Sequence, residues 1–242
     1  MLDQEAVDRW LEDFVQALRA QFDERLVYVN HHGSWARGEG TPKSDIDTIV
    51  VLDQVEPEDL SRYREIVEQM PGRLGSGGLL SVAEAQQAGP PGEWLQLFYG
   101  GRALHGSLDG IRKPPSNGEI IDDIRIKASS NLHVARHYLL YPHDPKEVVH
   151  RLAMPFKCCF FALQAWMFVQ EGEFIGRKED LLKALSDPLD REVVEVARGW
   201  HTSEQDRTER PLYYIQLLER WSSHMLGRLA ANHRHGRSEG PH

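Results

Sequence analysis

The sequence predicts an α+β chain, a small mixed β-sheet with flanking helices followed by an all-helical half. Three observations predict it. Short β-prone runs at Leu26–Val29, Ile46–Leu52 and Leu79–Val82 alternate with helical segments in the first half. From about Glu119 onward the apolar residues keep helical periodicity and no further strand is evident after Gly106. Between the halves lies a polar, Pro-rich stretch, Asp109 to Gly118. The expected divisions are residues 1–108, residues 119–231 and a polar, flexible tail over 232–242.

The elements run in this order. Val7, Trp10, Leu11, Phe14, Val15 and Leu18 share one face of an opening amphipathic helix. After the first strand comes a loop-rich stretch from His32 to Ser44. The second strand has Ile49, Val50 and Val51 as its apolar run. Pro57, with Glu58 and Asp59 beside it, starts a helix to about Met70. A Gly-rich turn, Gly72 to Gly78, leads to the third strand. Gly89-Pro90-Pro91-Gly92 breaks the chain, and Trp94–Tyr99 is helical up to Gly100-Gly101. In the second half a helix runs from Glu119 to Leu139 and stops at Tyr141-Pro142. Asp144-Pro145 caps the next, which passes through Pro155 and the apolar stretch Cys158–Val169. Shorter helices are expected near Lys178–Leu185 and Leu189–Gly199. A last one carries Leu212, Ile215, Leu218, Trp221 and Met225.

Composition narrows the function classes. The chain has 242 residues, 40% apolar, and a formal charge of −9. A net acidic chain is a poor generic binder of nucleic acid or anionic membranes. The only two cysteines, Cys158 and Cys159, are adjacent; they offer no disulfide framework and no metal-ligand spacing, so a reducing cytoplasm is expected. Met1 to Glu5 lacks a basic region followed by an apolar run, so no signal peptide is expected. Cys158–Val169 is too short to span a bilayer and is taken as a buried helix.

One constellation carries chemistry. Asp45 and Asp47, two positions apart at the start of a strand, are expected to point to one face, with Ile46 turned into the core. Paired carboxylates suit a hard divalent cation. Upstream, across ten intervening residues, Gly33 permits close backbone approach to a phosphate, and Ser34 offers a hydroxyl and an N–H. Arg37 and Lys43 supply positive charge between the two elements, and Ser44 directly precedes the carboxylates.

Gly33-Ser34, ten intervening residues, then Asp45-Ile46-Asp47 resembles the signature of the polymerase β-type nucleotidyltransferases. It is most similar to the minimal and aminoglycoside nucleotidyltransferases, through Trp35-Ala36-Arg37-Gly38, Lys43-Ser44 and the Arg102–Gly106 ending. The resemblance covers roughly residues 5 to 106, in order of elements. It implies Mg²⁺-dependent transfer of a nucleoside monophosphate, AMP from ATP, to an acceptor at the edge of the sheet. Asp45 and Asp47 would be the catalytic, metal-binding pair of a two-ion site; Gly33, Ser34, Arg37, Lys43 and Ser44 would bind nucleotide. The acceptor stays open between a small molecule such as an aminoglycoside and a protein. A homodimer is one further option. The family's third carboxylate is not evident: Leu79–Val82 has none. Glu84 and Glu93 come after it, and Glu147, Glu171 and Glu173 lie in the helical half. This gap motivates the alternative, a degenerate transferase that binds nucleotide or a toxin–antitoxin-type partner without turnover.

The helical half resembles the bundles that accompany such transferases, the antibiotic-enzyme and HEPN types. Arg136…His143 and Arg228…His233 match HEPN ribonuclease spacing, and a plain packing bundle is the favoured reading. His31 and His32 lie beside the phosphate loop, either touching nucleotide or merely exposed. Arg125, Lys127 and Arg136 either face a cleft or form a solvated face. Trp94, Phe98, Tyr99, Trp166 and Phe168 are expected in the core rather than as base platforms. His233, His235 and His242 are assigned to the tail rather than to a metal site.

Overall fold

The computed structural model describes residues 2–70, 78–141, 143–202 and 204–235, with side chains as far as residue 232. The chain divides into two compact units, residues 1–115 and 116–242.

The first unit is an α+β layer structure. Helix α1 (Gln4–Phe22) is capped by Asp3, whose carboxylate accepts from the Ala6 N–H at 2.9 Å. Its expected apolar face is buried throughout, joined by Phe22. Strand β1 (Leu26–His32) pairs antiparallel with β2 (Asp47–Leu52) and with β4 (Arg102–His105), while β3 (Gly78–Ser81) runs parallel to β2. The sheet order β3-β2-β1-β4 is therefore mixed. β1 is three residues longer than the β-prone run, because His31 and His32 continue the ladder opposite Thr48 and Asp47.

Each face of the sheet has its own core. On one face Val29, Ile46, Val50 and Leu52 meet α1 and Ile66 of α3 (Pro57–Gln69). On the other, Tyr28 and Val51 meet Ala85 of α4 (Val82–Gln87), Trp94 of α5 (Pro91–Leu95) and the downstream Leu108 and Ile111. A π-helical turn, Gln96–Gly100, comes after α5 and feeds β4. The turn expected at Gly72–Gly78 lies, apart from Gly78, outside the described residues. Arg25 ties the start of β1 to α3 through two bonds to Asp59, at 3.0 and 2.7 Å, while Asp59 also accepts from the Glu56 N–H in a capping box.

The second unit is all-helical. Helices α6 (Asn117–Leu140) and α7 (Pro145–Glu171) match the expected pair, α6 opening on a Ser116/Glu119 capping box and α7 on Asp144. Pro142 lies outside the described residues. α8 (Lys178–Ala184) and α9 (Pro188–Gly199) are next, then α10 (Glu204–Glu209), a short polar helix whose lack of an apolar stripe hides it from periodicity. α11 (Pro211–His235) packs on α6, α7 and α9. It continues through residues 232–235, which sequence pattern assigns to the tail; residues 236–242 lie outside the described residues. α7, at 27 residues, is by length and composition apolar enough to cross a bilayer, yet half of its most apolar window is buried, the mark of a core helix.

Two buried polar side chains in this unit, Asp190 and Gln164, find partners on neighbouring segments. Asp190, 1% exposed, accepts from Trp221 Nε1 at 2.9 Å and from Arg228 at 2.5 Å. Gln164 donates to the carbonyls of Ile175 and Gly176, both at 2.7 Å, so the chain leaving α7 is held against it.

Candidate active site

The site is built where β1 turns. At the end of the β1–β2 ladder, His32 stands directly opposite Asp47. The next residue, Gly33, has φ +80° and opens the single helical turn α2 (Gly33–Ala36). A Cβ at Gly33 would overlap the Asp47 carboxylate, lying 2.7 Å from its Cγ. Glycine is required there twice over, by the left-handed backbone and by the carboxylate seated on its Cα.

Alternation along β2 separates the two sides. Ile46 and Thr48 are fully buried, whereas Asp45 and Asp47 are partly exposed. The carboxylates thus flank Ile46 as expected, with one correction. The regular strand begins at Asp47, and Asp45 belongs to the end of the preceding loop. The cause is the partner strand: β1 turns away at Gly33, leaving no ladder for residue 45.

The loop from Arg37 to Ser44 is held by Trp35. The indole is buried in the α1-side core, its Nε1 donates to the Ser44 carbonyl at 3.3 Å, and Gly40 packs so closely on the ring that a Cβ there would come 2.7 Å from Trp35 Cε2. Ser44 Oγ accepts from the Thr41 N–H at 3.0 Å and lies 3.1 Å from Thr41 Oγ1, closing the turn just before Asp45. Arg37 Nε donates to Glu39 at 3.3 Å, with both side chains largely buried. Lys43 is exposed and Ser34 partly so. Sequence reasoning missed Glu39 and Gly40. The signal for the first was an acid two residues from Arg37; for the second there was none, since the Trp35 contact is formed by folding.

The two histidines separate. His31, 1% exposed, faces the α1 side with Thr48. Burial drives its pKa down to about 4, helped by Arg102 and His32 and opposed by Asp8 and Asp47. It is therefore a buried residue rather than an exposed one. His32 is only partly buried and shares the Asp47 side.

No carboxylate on β3 completes the pair. Gly78 aligns with Ile49 and Ser81 with Leu52, so the residues after β3 lie at the far end of the sheet, roughly 15 Å from Asp47 at a strand's rise per residue. Glu84 sits there, bonded to the Ser81 N–H at 2.7 Å and hydroxyl at 2.9 Å as the cap of α4, bonds that hold its carboxyl below the usual range. Glu93 is exposed in the first turn of α5. Residues 71–77 lie outside the described residues, and their sequence holds no Asp or Glu. Among the described residues no three metal-ligating side chains cluster.

In the helical unit, Arg125, Lys127 and Arg136 are engaged by Asp122, Asp123 and Glu219 respectively, so none is a free cleft cation. Trp94 and Trp166 are core residues, whereas Tyr99 is 47% exposed.

Comparison with known proteins bears on the same elements. The nucleotidyltransferase domain family matches residues 11–74. A solved structure of spectinomycin adenyltransferase AAD(9) from Enterococcus faecialis with ATP and spectinomycin is similar at 12% identity and a TM-score of 0.49, over 88% of this chain and 99% of that one. No curated protein matches the chain. The family match runs from α1 across β1, the Gly33 turn and β2, so the stretch of the N-terminal unit that is similar to a nucleotidyltransferase domain is the one that seats Asp47 on the glycine.

Proposed function

We propose that this chain transfers a nucleoside monophosphate, AMP from ATP, to the hydroxyl of an acceptor. The observation that carries the reading is the Asp47 carboxylate packed on the Cα of Gly33, which brings a cation-binding group and a phosphate-approachable turn to one place. The acceptor oxygen attacks the α-phosphorus, the bond to the β-phosphate oxygen breaks, and pyrophosphate leaves. Ser34 donates its hydroxyl and N–H to the β- and γ-phosphates. Lys43, exposed in the loop, offsets the charge of the leaving pyrophosphate. Arg37 is a positioning residue, because Glu39 already engages its guanidinium and the pair stiffens the loop.

The donor set fits a divalent cation. Asp45 and Asp47 are two partly exposed residues, and Mg²⁺ typically takes one or two carboxylates with phosphate oxygens and water completing its shell. When bound, such a cation neutralises triphosphate charge and makes the acceptor hydroxyl more acidic.

A second reading has its own observation. The sheet supplies no third carboxylate beside Asp47, and Glu84 is committed to a helix cap at the other end. That arrangement suits a chain that binds nucleotide without turnover. Incubation with α-labelled ATP and Mg²⁺ over a panel of cationic small molecules and protein acceptors separates the two. Label transfer by the native chain, reduced by about two orders of magnitude or more in Asp47→Ala, is expected, the scale of a lost electrostatic stabiliser. ATP binding by calorimetry with no transfer to any acceptor would establish the second reading.

A further inference from the structure

The helical unit contains a cavity of about 230 Å³ that shares no residue with the Gly33–Asp47 site. Its walls include Glu192, Glu195 and Gly199 of α9, Arg207 of α10, and Tyr213 and Tyr214 of α11. Arg207 is only 4% exposed and its Nε makes no hydrogen bond among the described residues. A guanidinium stays charged, and a buried charge without hydrogen-bonded compensation is costly.

Arg207 is also held in place. Its Cζ lies 4.3 Å over the Trp200 ring, and Trp200 is wedged against Phe156, with ring centroids 5.4 Å apart. Asp206, its neighbour in sequence on the same helix, is committed to the Tyr214 hydroxyl and to Arg210, at 3.5 Å. Glu192 is likewise taken by the Tyr213 hydroxyl, at 2.6 Å. Glu195 is exposed and forms the acidic outer edge of the same cavity.

We propose that this cavity binds a small zwitterion, its carboxylate on the buried Arg207 edge and its ammonium group at Glu195. A plain anion is disfavoured by the acidic outer wall, and a plain cation leaves Arg207 without a counter-charge. Desolvation also lowers the Arg207 pKa despite the nearby Glu204 and Asp206, in keeping with a cation those acids do not fully compensate.

Calorimetric titration of the full chain with ω-amino carboxylates of increasing length, each beside the matched alkylcarboxylate and alkylamine, tests this. One amino carboxylate is expected to bind about tenfold or more tighter than either half-molecule. Glu195→Gln should remove the advantage over the carboxylate, and Arg207→Gln the advantage over the amine. Glu195 is exposed, so its variant decides the matter should Arg207→Gln lose its helical circular dichroism. The proposal fails if no amino carboxylate binds, if a half-molecule binds equally well, or if Glu195→Gln leaves the preference intact.

Discussion

Gly33 is the residue on which the site turns. Its φ of +80° and the overlap that any Cβ would have with Asp47 combine two penalties. Gly33→Ala is expected to cost about 1–3 kcal/mol in a denaturant titration, the range for strained backbone, and to displace the carboxylate, so transfer should fall as well. Trp35 acts one step removed. Trp35→Phe keeps most of the apolar contact but deletes the 3.3 Å bond to the Ser44 carbonyl, and about 1 kcal/mol of stability is expected to go with it. His31 sets a pH dependence. Its folded value, about 4, lies below the ordinary 6.5, so burial favours the neutral form. Its stabilising share is complete above pH 6.5 and is lost as pH falls toward 4, by about 3 kcal/mol at most. His31→Gln should flatten that limb of a stability–pH profile; an unchanged slope would mean that another group causes it.

Among the elements, α3 is fastened by a side chain from outside it. Asp59 is 1% exposed and serves both the capping box and the two-bonded pair with Arg25, which holds its pKa down to about 2. Asp59→Ala removes the cap and strands a guanidinium, so a loss of about 2–4 kcal/mol is expected from the sum of a cap and a broken partly buried pair. Asp59→Asn should recover part of it by retaining the cap. The parallel β2–β3 pairing has a functional consequence. It carries Glu84 to the sheet end opposite Asp47, so Glu84→Gln should weaken the α4 cap and leave nucleotide binding unaffected.

At the scale of the molecule, each unit closes around its own core. In the helical unit Asp190 joins α9 to α11 through Trp221 and Arg228, with Arg228 also 4.8 Å over the Trp166 ring of α7. Removing one partner of such a buried group costs about 3–5 kcal/mol. Asp190→Ala is therefore expected to lower Tm by roughly 10 °C, at about 2–4 °C per kcal/mol for chains of this size.

Much of this was legible beforehand. Helical periodicity located α1, α6, α7 and α11, because a buried stripe must recur with the helix repeat. The spacing of Gly33-Ser34 and Asp45-Ile46-Asp47 pointed to the carboxylate beside the glycine turn, since alternation on a strand is dictated by local backbone geometry. Folding alone decided the rest. Which strand lies parallel to β2, that Glu84 is remote from Asp47, that Glu39 and Gly40 lock the loop, and that His31 and Arg207 are buried all depend on which distant segments meet. Local pattern encodes the face a residue presents; the dielectric and the partners it finds there are properties of the packed chain.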